Sequence, residues 1–209
     1  MTEHILWDWN GTLFDDIEAI VGATNEVFLP YELPPLDADG FRAVYTRPVW
    51  VTYEVMLGRE LREGEWRLLD DGFHQSYFRL MAGCRLAEGA EAMIKAWSGT
   101  QSLCSMAPHS HLEPLVTSFG LDTYFVRVDG LRDGATGGEK ADHMLAHIRA
   151  AGVDPAKTLV IGDSVDDGVA AKHVGARAVL YTGGMTPRAK LEETGFPVVD
   201  SLAEALNYA

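Results

Sequence analysis

Residues 4–12 read His4-Ile5-Leu6-Trp7-Asp8-Trp9-Asn10-Gly11-Thr12, and this stretch decides how the rest of the chain is read. A short apolar run carries an acid near its end, and a Gly-Thr pair follows at once. Runs of this length bounded by turn residues read as buried strands, so His4–Trp9 is a strand with Asp8 at its carboxyl end. Four later runs have the same form: Gln101–Met106, Phe125–Asp129, Thr158–Gly162 and Ala176–Tyr181. Helical patterns separate them. Met144, Leu145 and Ile148 have helical spacing, as do Val169, Ala170, Ala171 and Val174, which Gly175 closes. Strands alternating with helices predict an α/β fold, a doubly wound parallel sheet.

One interval breaks that rhythm. About 90 residues separate the first and second strands, where a crossover needs far fewer. Ile17, Ile20, Val21, Thr24, Val27 and Phe28 recur at helical spacing, and so do Trp66, Leu69, Phe73, Tyr77, Leu80 and Met81. Pro30–Asp39 between them reads as a loop. Residues 17–83 are therefore expected to form an inserted helical domain, with 1–16 and 84–209 making the α/β core. The aromatic stripe Trp66, Phe73 and Tyr77 reads as the core of that insert.

Composition narrows the function. The 209 residues carry a net charge of −14, with 47% hydrophobic and 23% charged residues. An ordered globular chain fits those fractions. A chain this acidic lacks the basic footprint that nucleic acid or an anionic membrane requires. Two cysteines, Cys84 and Cys104, build neither a disulfide framework nor a Cys-rich zinc site. Residues 1–12 have no leader pattern, so a cytoplasmic location is expected. No oligomerisation segment is evident, which makes a monomer the default and a dimer the alternative.

The chemistry gathers at strand ends, where open α/β sheets bind ligands. Asp8 ends the first strand, Ser105 stands at the end of the second, and Gly162-Asp163-Ser164-Val165-Asp166-Asp167 follows the fourth. Lys140 opens the helix before that fourth strand. Asp163 and Asp167 are four apart, so a loop-to-helix turn can put both on one side, and with Asp8 they form a hard oxygen set suited to Mg²⁺. Asp166 competes with Asp167 for that role. Asp8 could ligate with one oxygen and attack phosphorus with the other. Ser105 and Lys140 could hold phosphoryl oxygens, and backbone N–H groups near Gly11 could complete the cradle.

Asp8-x-Asn10-Gly11-Thr12-Leu13, then Ser105, then Lys140, then Gly162-Asp163-x3-Asp167 is an ordered set of four motifs. In this the chain resembles the haloacid dehalogenase superfamily of phosphohydrolases, and within it the phosphoglycolate-phosphatase-like members. The resemblance implies a Rossmann-like core with a mobile helical cap. It implies catalytic roles for Asp8, Asn10, Ser105 and Lys140, with Asp8 as nucleophile. It also implies Mg²⁺ held by Asp8, the Asn10 backbone carbonyl, Asp163 and Asp167. The expected substrate is a small phosphorylated metabolite, with Gly11, Met106 and Arg47 as its candidate contacts. Arg47 lies on Tyr45-Thr46-Arg47-Pro48, where the helical pattern of the insert breaks, and suits an anionic ligand.

Two positions depart from the family, a minor one at Ala141, where Pro is common after the lysine, and one that matters. The family's phosphatases usually carry a second aspartate two residues after the nucleophile, which protonates the leaving group and then activates water. Here that residue is Asn10, whose amide cannot carry a proton. A phosphometabolite-binding or regulatory protein with weak turnover is therefore the alternative function. A receiver domain shares the acidic pocket but not the insert or the Gly162–Asp167 motif. Carbon–halogen chemistry would not need Asp163 and Asp167 as metal ligands.

Other signals have plainer readings. Gly134–Lys140 lacks phosphate-loop spacing. His143 and His147 have the spacing of a zinc pair, but Met144 stands where a metalloprotease needs Glu, so they read as an exposed helix face. His109 reads as a helix-start histidine and Cys104 as a small core residue.

Overall fold

The computed structural model describes residues 1–132 and 140–209. Of the Gly134–Lys140 run, only Lys140 lies within the described residues. In chain order the elements are β1 (His4–Trp7), β2 (Phe14–Asp15), α1 (Ile17–Phe28), α2 (Ala38–Val44), α3 (Val49–Leu57), α4 (Glu65–Leu80), β3 (Arg85–Leu86), α5 (Ala90–Ala96), β4 (Thr100–Pro108), α6 (His109–Ser118), β5 (Val128–Leu131), α7 (Lys140–Ala151), β6 (Thr158–Gly162), α8 (Val165–Val174), β7 (Arg177–Tyr181), α9 (Arg188–Glu192), β8 (Val198–Val199) and α10 (Leu202–Leu206). They form two compact units, Met1–Phe14 with Leu86–Ala209, and Asp15–Arg85.

The first unit is built on a six-stranded sheet in the order β5-β4-β1-β6-β7-β8. Every pairing in it is parallel. Ile5, Leu6 and Trp7 are fully buried, as a strand covered on both faces requires. From β1 the chain builds outward to β4 and β5, then returns to place β6 on the other side of β1. That reversal makes the β1–β6 boundary the topological switch point, where a crevice opens at the carboxyl ends. Asp8 and Asp163 follow directly on these two strands.

Leu6, Cys104 and Val160 on the sheet pack against Ala141, Met144 and Ile148 of α7 and Ala170 and Ala171 of α8. Full burial of a side chain such as Met144 or Ile148 contributes roughly 1.5–3 kcal/mol. Gly175 closes α8 in the left-handed region at φ 81°. The strand expected at Phe125–Asp129 is displaced to Val128–Leu131: Phe125 caps a 3₁₀ turn over Asp122–Tyr124, pairing with β4 begins at Val128, and after a register shift between Cys104 and Pro108 it resumes at Leu131. β8 has only two residues, too few for a periodic signal.

The second unit contains α1 to α4. Phe28, Tyr53 and Leu69 form its buried centre, with Trp66, Val27 and Met56 packed around them. Phe73 and Tyr77 stack at 5.7 Å, both half-buried. The buried Asp16 accepts a 2.6 Å bond from the Tyr77 hydroxyl. Tyr45–Pro48 separates α2 from α3, and the Thr52 hydroxyl ties that turn by bonding both the N–H and the carbonyl of Thr46. Among the described residues no helix is long and apolar enough to cross a membrane.

Candidate active site

Asp8 leaves β1 with its N–H still donating to the Ile161 carbonyl of β6, and the residue is 5% exposed. The chain then folds back on itself. Thr12 and Phe14 both donate to the Trp9 carbonyl, and Gly11 donates to the Phe14 carbonyl at 2.9 Å. Trp9 stacks on Phe14 at 5.5 Å, which turns its ring into the core. The turn puts Gly11 at φ +73°, and a Cβ there would lie 2.7 Å from an oxygen of Asp163. Gly11 thus serves by its missing side chain, while its N–H is committed within the loop. The Thr12 hydroxyl lies 3.4 Å from both Asp8 Oδ2 and Asp163 Oδ1 and fixes the two acids relative to each other.

Asp167 lies in the first turn of α8. Ser164 caps that helix by accepting from the Asp167 N–H, and Asp167 Oδ2 accepts in return from the Ser164 N–H at 3.1 Å and hydroxyl at 2.5 Å. The other oxygen, Oδ1, lies 2.5 Å from Lys140 Nζ. Lys140 is the first residue of α7, and its ammonium also sits 2.5 Å from Asp8 Oδ1. Asp8, Asp163 and Asp167 each offer an oxygen within 4.8 Å of the others. Asp167, not Asp166, completes that triplet.

Ser105, 2% exposed, sits where β4 departs from regular pairing with β5. Its hydroxyl oxygen accepts from the Ala107 N–H at 3.1 Å, and the hydroxyl lies 3.5 Å from Asn10 Oδ1. Met106, next in the chain, is half-buried. Arg47 belongs to the second unit, on the turn before α3.

Electrostatics sets what the cluster can bind. Three carboxylates against one ammonium would leave a net charge of −2 in a buried volume if all were ionised. Burial pushes Asp8 up to about 6, against the pull of Lys140 and with the repulsion of Asp167. Asp163 is raised well above the usual carboxylate range by burial, then by Asp8 and Asp167. Burial works against the charge on Lys140, but Asp167 and Asp8 outweigh it and hold the ammonium firmly protonated. A divalent cation cancels the residual charge, and an all-oxygen donor set is what a hard cation takes. The residues present therefore fit such an ion.

Sequence reasoning missed the loop between β7 and α9. The Met185 N–H donates to Asp163 Oδ2 at 3.1 Å, and a Cβ on Gly184 would fall 1.8 Å from that oxygen. A Gly-Gly pair after a strand reads as an ordinary turn; its only distinguishing signal is that β7 neighbours β6 and ends on the same edge. Gly184→Ala is expected to displace Asp163 and lower activity by about 10²-fold, the scale of a 1 Å misplacement. It should also cost on the order of 1–3 kcal/mol of stability. Steady-state kinetics and thermal unfolding of the variant check both.

The histidines differ from expectation. His147 is not on an exposed face but 1% exposed, and His143 is half-buried. The sheet covers them, and polar partners on β4 and β5 make that burial tolerable. His109 does stand at a helix start, with Nδ1 accepting from the Gly130 N–H at 3.2 Å.

A family model described as haloacid dehalogenase-like hydrolase matches residues 2–175. The phosphoglycolate phosphatase of Caulobacter vibrioides is 26% identical over 87% of this chain and 80% of its own. That of Agrobacterium fabrum is 25% identical over 95% and 88%. Among solved structures, a haloacid dehalogenase-like family hydrolase from Streptococcus pneumoniae superposes with a TM-score of 0.85 at 18% identity, covering 99% of this chain and 98% of that one. The strand order, the acidic switch point and the family match lead to one assignment: the chain belongs to the haloacid dehalogenase-like hydrolase family.

Proposed function

We propose that this protein is a Mg²⁺-dependent phosphatase that removes phosphate from a small phosphorylated metabolite through an aspartyl-phosphate on Asp8. The observation that carries the reading is the buried triplet Asp8, Asp163 and Asp167 with Lys140 inside it, set at the switch point of the sheet. Two relatives named phosphoglycolate phosphatase point to a small organic phosphate. Mg²⁺ would be held by Asp8, the Asn10 backbone carbonyl, Asp163 and Asp167, and would supply charge to the phosphoryl oxygens. Asp8 attacks phosphorus with one carboxylate oxygen, the bond from phosphorus to the leaving oxygen breaks, and water later cleaves the acyl phosphate. Ser105 and Lys140 hold the phosphoryl oxygens by hydroxyl donor and positive charge.

The test is phosphate release from a panel of small phosphate esters and acyl phosphates, with and without Mg²⁺. Mg²⁺-dependent turnover of one metabolite is the expected result; tight binding of phosphate ligands without release would favour the binding or regulatory reading. Asn10 is the specific observation behind that second reading, because an amide leaves the leaving group without its usual proton donor.

A stability measurement checks the metal independently. Asp8 titrates near 6 when folded and near 3.8 as a free side chain. The folded state therefore binds more protons between those values, and metal-free stability should fall as pH rises through that window. For Asp8 alone the loss is on the order of 3 kcal/mol. Thermal unfolding in EDTA from pH 4.5 to 7.5 should show the decline, and saturating Mg²⁺ should flatten it. A profile in EDTA that is already flat would count against a cation-dependent acidic cluster.

A further inference from the structure

The catalytic reading does not use a chain of buried polar groups beneath α7. His147 Nδ1 lies 2.8 Å from Asp129 Oδ2 on β5, and Nε2 lies 2.7 Å from the Ser102 hydroxyl on β4. Its side chain is wholly buried. Each partner is held in turn. The Arg127 guanidinium bonds both oxygens of Asp129. His4 Nε2 lies 2.8 Å from the Ser102 hydroxyl, and His4 Nδ1 lies 2.8 Å from the Thr100 hydroxyl. One helix is thereby tied to three adjacent strands.

Lys140 and His147 are seven residues apart, close to two full turns, so both project from one face of α7. His143, between them, meets the backbone of Asp129 and of Ser105. The apolar face of α7, Ala141, Met144 and Ile148, gives adhesion without direction. Hydrogen bonds at 2.7–2.8 Å to two strands fix instead how far the helix is slid and how it is rotated. Lys140 needs that precision, since one ammonium must meet Asp8 and Asp167 at 2.5 Å each.

We propose that His147, held by Asp129 and Ser102, is a positioning residue that sets α7 so that Lys140 meets Asp8 and the β4 end presents Ser105. The proposal rests on the reading of Lys140 and Ser105 as the holders of phosphoryl oxygens. The polarity of the chain does not alter it. A carboxylate at Asp129 always accepts from the Nδ1–H, while Ser102 has one proton to share between His147 and His4. Asparagine at 147 puts its amide nitrogen near the place of Nδ1, and glutamine near that of Nε2. Asparagine therefore keeps the bond to Asp129, glutamine keeps the bond to Ser102, and leucine keeps neither.

The experiment compares the full chain with His147→Leu, His147→Asn and His147→Gln. It measures kcat and KM for a small aryl phosphate, inhibition by inorganic phosphate at saturating Mg²⁺, and crystal structures. His147→Leu should weaken inhibition by inorganic phosphate about tenfold, the scale expected from misplacing one charged contact. KM should rise with it by a larger factor than kcat falls. Asparagine or glutamine should recover most of that loss. If His147→Leu does not fold, the other two variants and their order carry the comparison. Lower thermal stability with wild-type phosphate inhibition in every folded variant would overturn the proposal. Should the unaltered protein neither release nor bind phosphate, the catalytic reading fails, and the crystal structures alone decide the positioning. Lys140 Nζ drawn away from Asp8 in a variant supports it, and an unmoved Lys140 refutes it.

Discussion

Asp8→Asn is expected to abolish phosphate release, with a loss of about 10⁴-fold or more, while leaving the protein at least as stable as the original. The two halves have one cause. A carboxamide has the shape of the carboxylate but no anionic oxygen to attack phosphorus, so the covalent route closes. A loss of that size corresponds to about 5.5 kcal/mol of barrier. In the metal-free protein, however, ionised Asp8 is a liability. Burial and the nearby Asp167 push its titration up to about 6, so at neutral pH the fold carries a charge that it resists. Neutralising it removes one negative charge from the buried cluster and leaves Asp167 to pair with Lys140 at 2.5 Å. Kinetics and unfolding in EDTA at pH 7.5 on the same sample separate chemistry from folding. Activity within tenfold of the original would remove Asp8 from the nucleophile's role. Inactivity with lost stability would mean that the carboxylate is structural.

What the sequence reveals about this site follows from where the information lies. β1 and β6 are legible because central parallel strands are buried on both faces and read as unbroken apolar runs, and the acids that end them then stand out. Ser105 and Lys140 are legible only as members of an ordered set. The β7–α9 loop is not legible, because Gly184 matters for the atom it leaves out, beside Asp163, which lies 21 residues earlier. His147 is misread for a related reason. A polar residue on a helix is assigned to solvent unless its partners are known, and here they are Asp129, 18 residues away, and Ser102, 45 away. β5 is displaced from its apolar run at both ends, because a 3₁₀ turn takes Phe125 as its cap and an irregularity in β4 sets where pairing resumes at Leu131. Local patterns therefore locate the acids at strand ends, while the contacts that hold them in register are set by tertiary packing.

Asn10→Asp is expected to raise phosphate release from an unactivated alkyl phosphate by about 10²- to 10⁴-fold, the usual worth of a positioned general acid and base. The side chain already stands in place, with Oδ1 3.5 Å from the Ser105 hydroxyl. Replacing NH₂ by oxygen changes little volume. What it adds is a proton that can go to the leaving oxygen and later be taken back from water. The same change adds a fourth acid beside the buried triplet, taking the cluster from −2 to −3 if all are ionised. The variant should therefore be less stable than the original in EDTA at pH 7.5, and Mg²⁺ should restore more of its stability. The Asn10-Gly11 pair imposes a control, since Asn-Gly bonds deamidate readily in flexible chain and an aged sample could contain aspartate at position 10. Mass spectrometry of the peptide spanning Asn10 must show the intact amide before its rate is compared. A large gain would mean that the natural chain, though built as a phosphatase, is held back by one amide, which favours a binding role or a substrate whose leaving group needs no proton. An unchanged rate, with the original already active, would mean that another group supplies the proton, and the search would move to side chains other than Asn10.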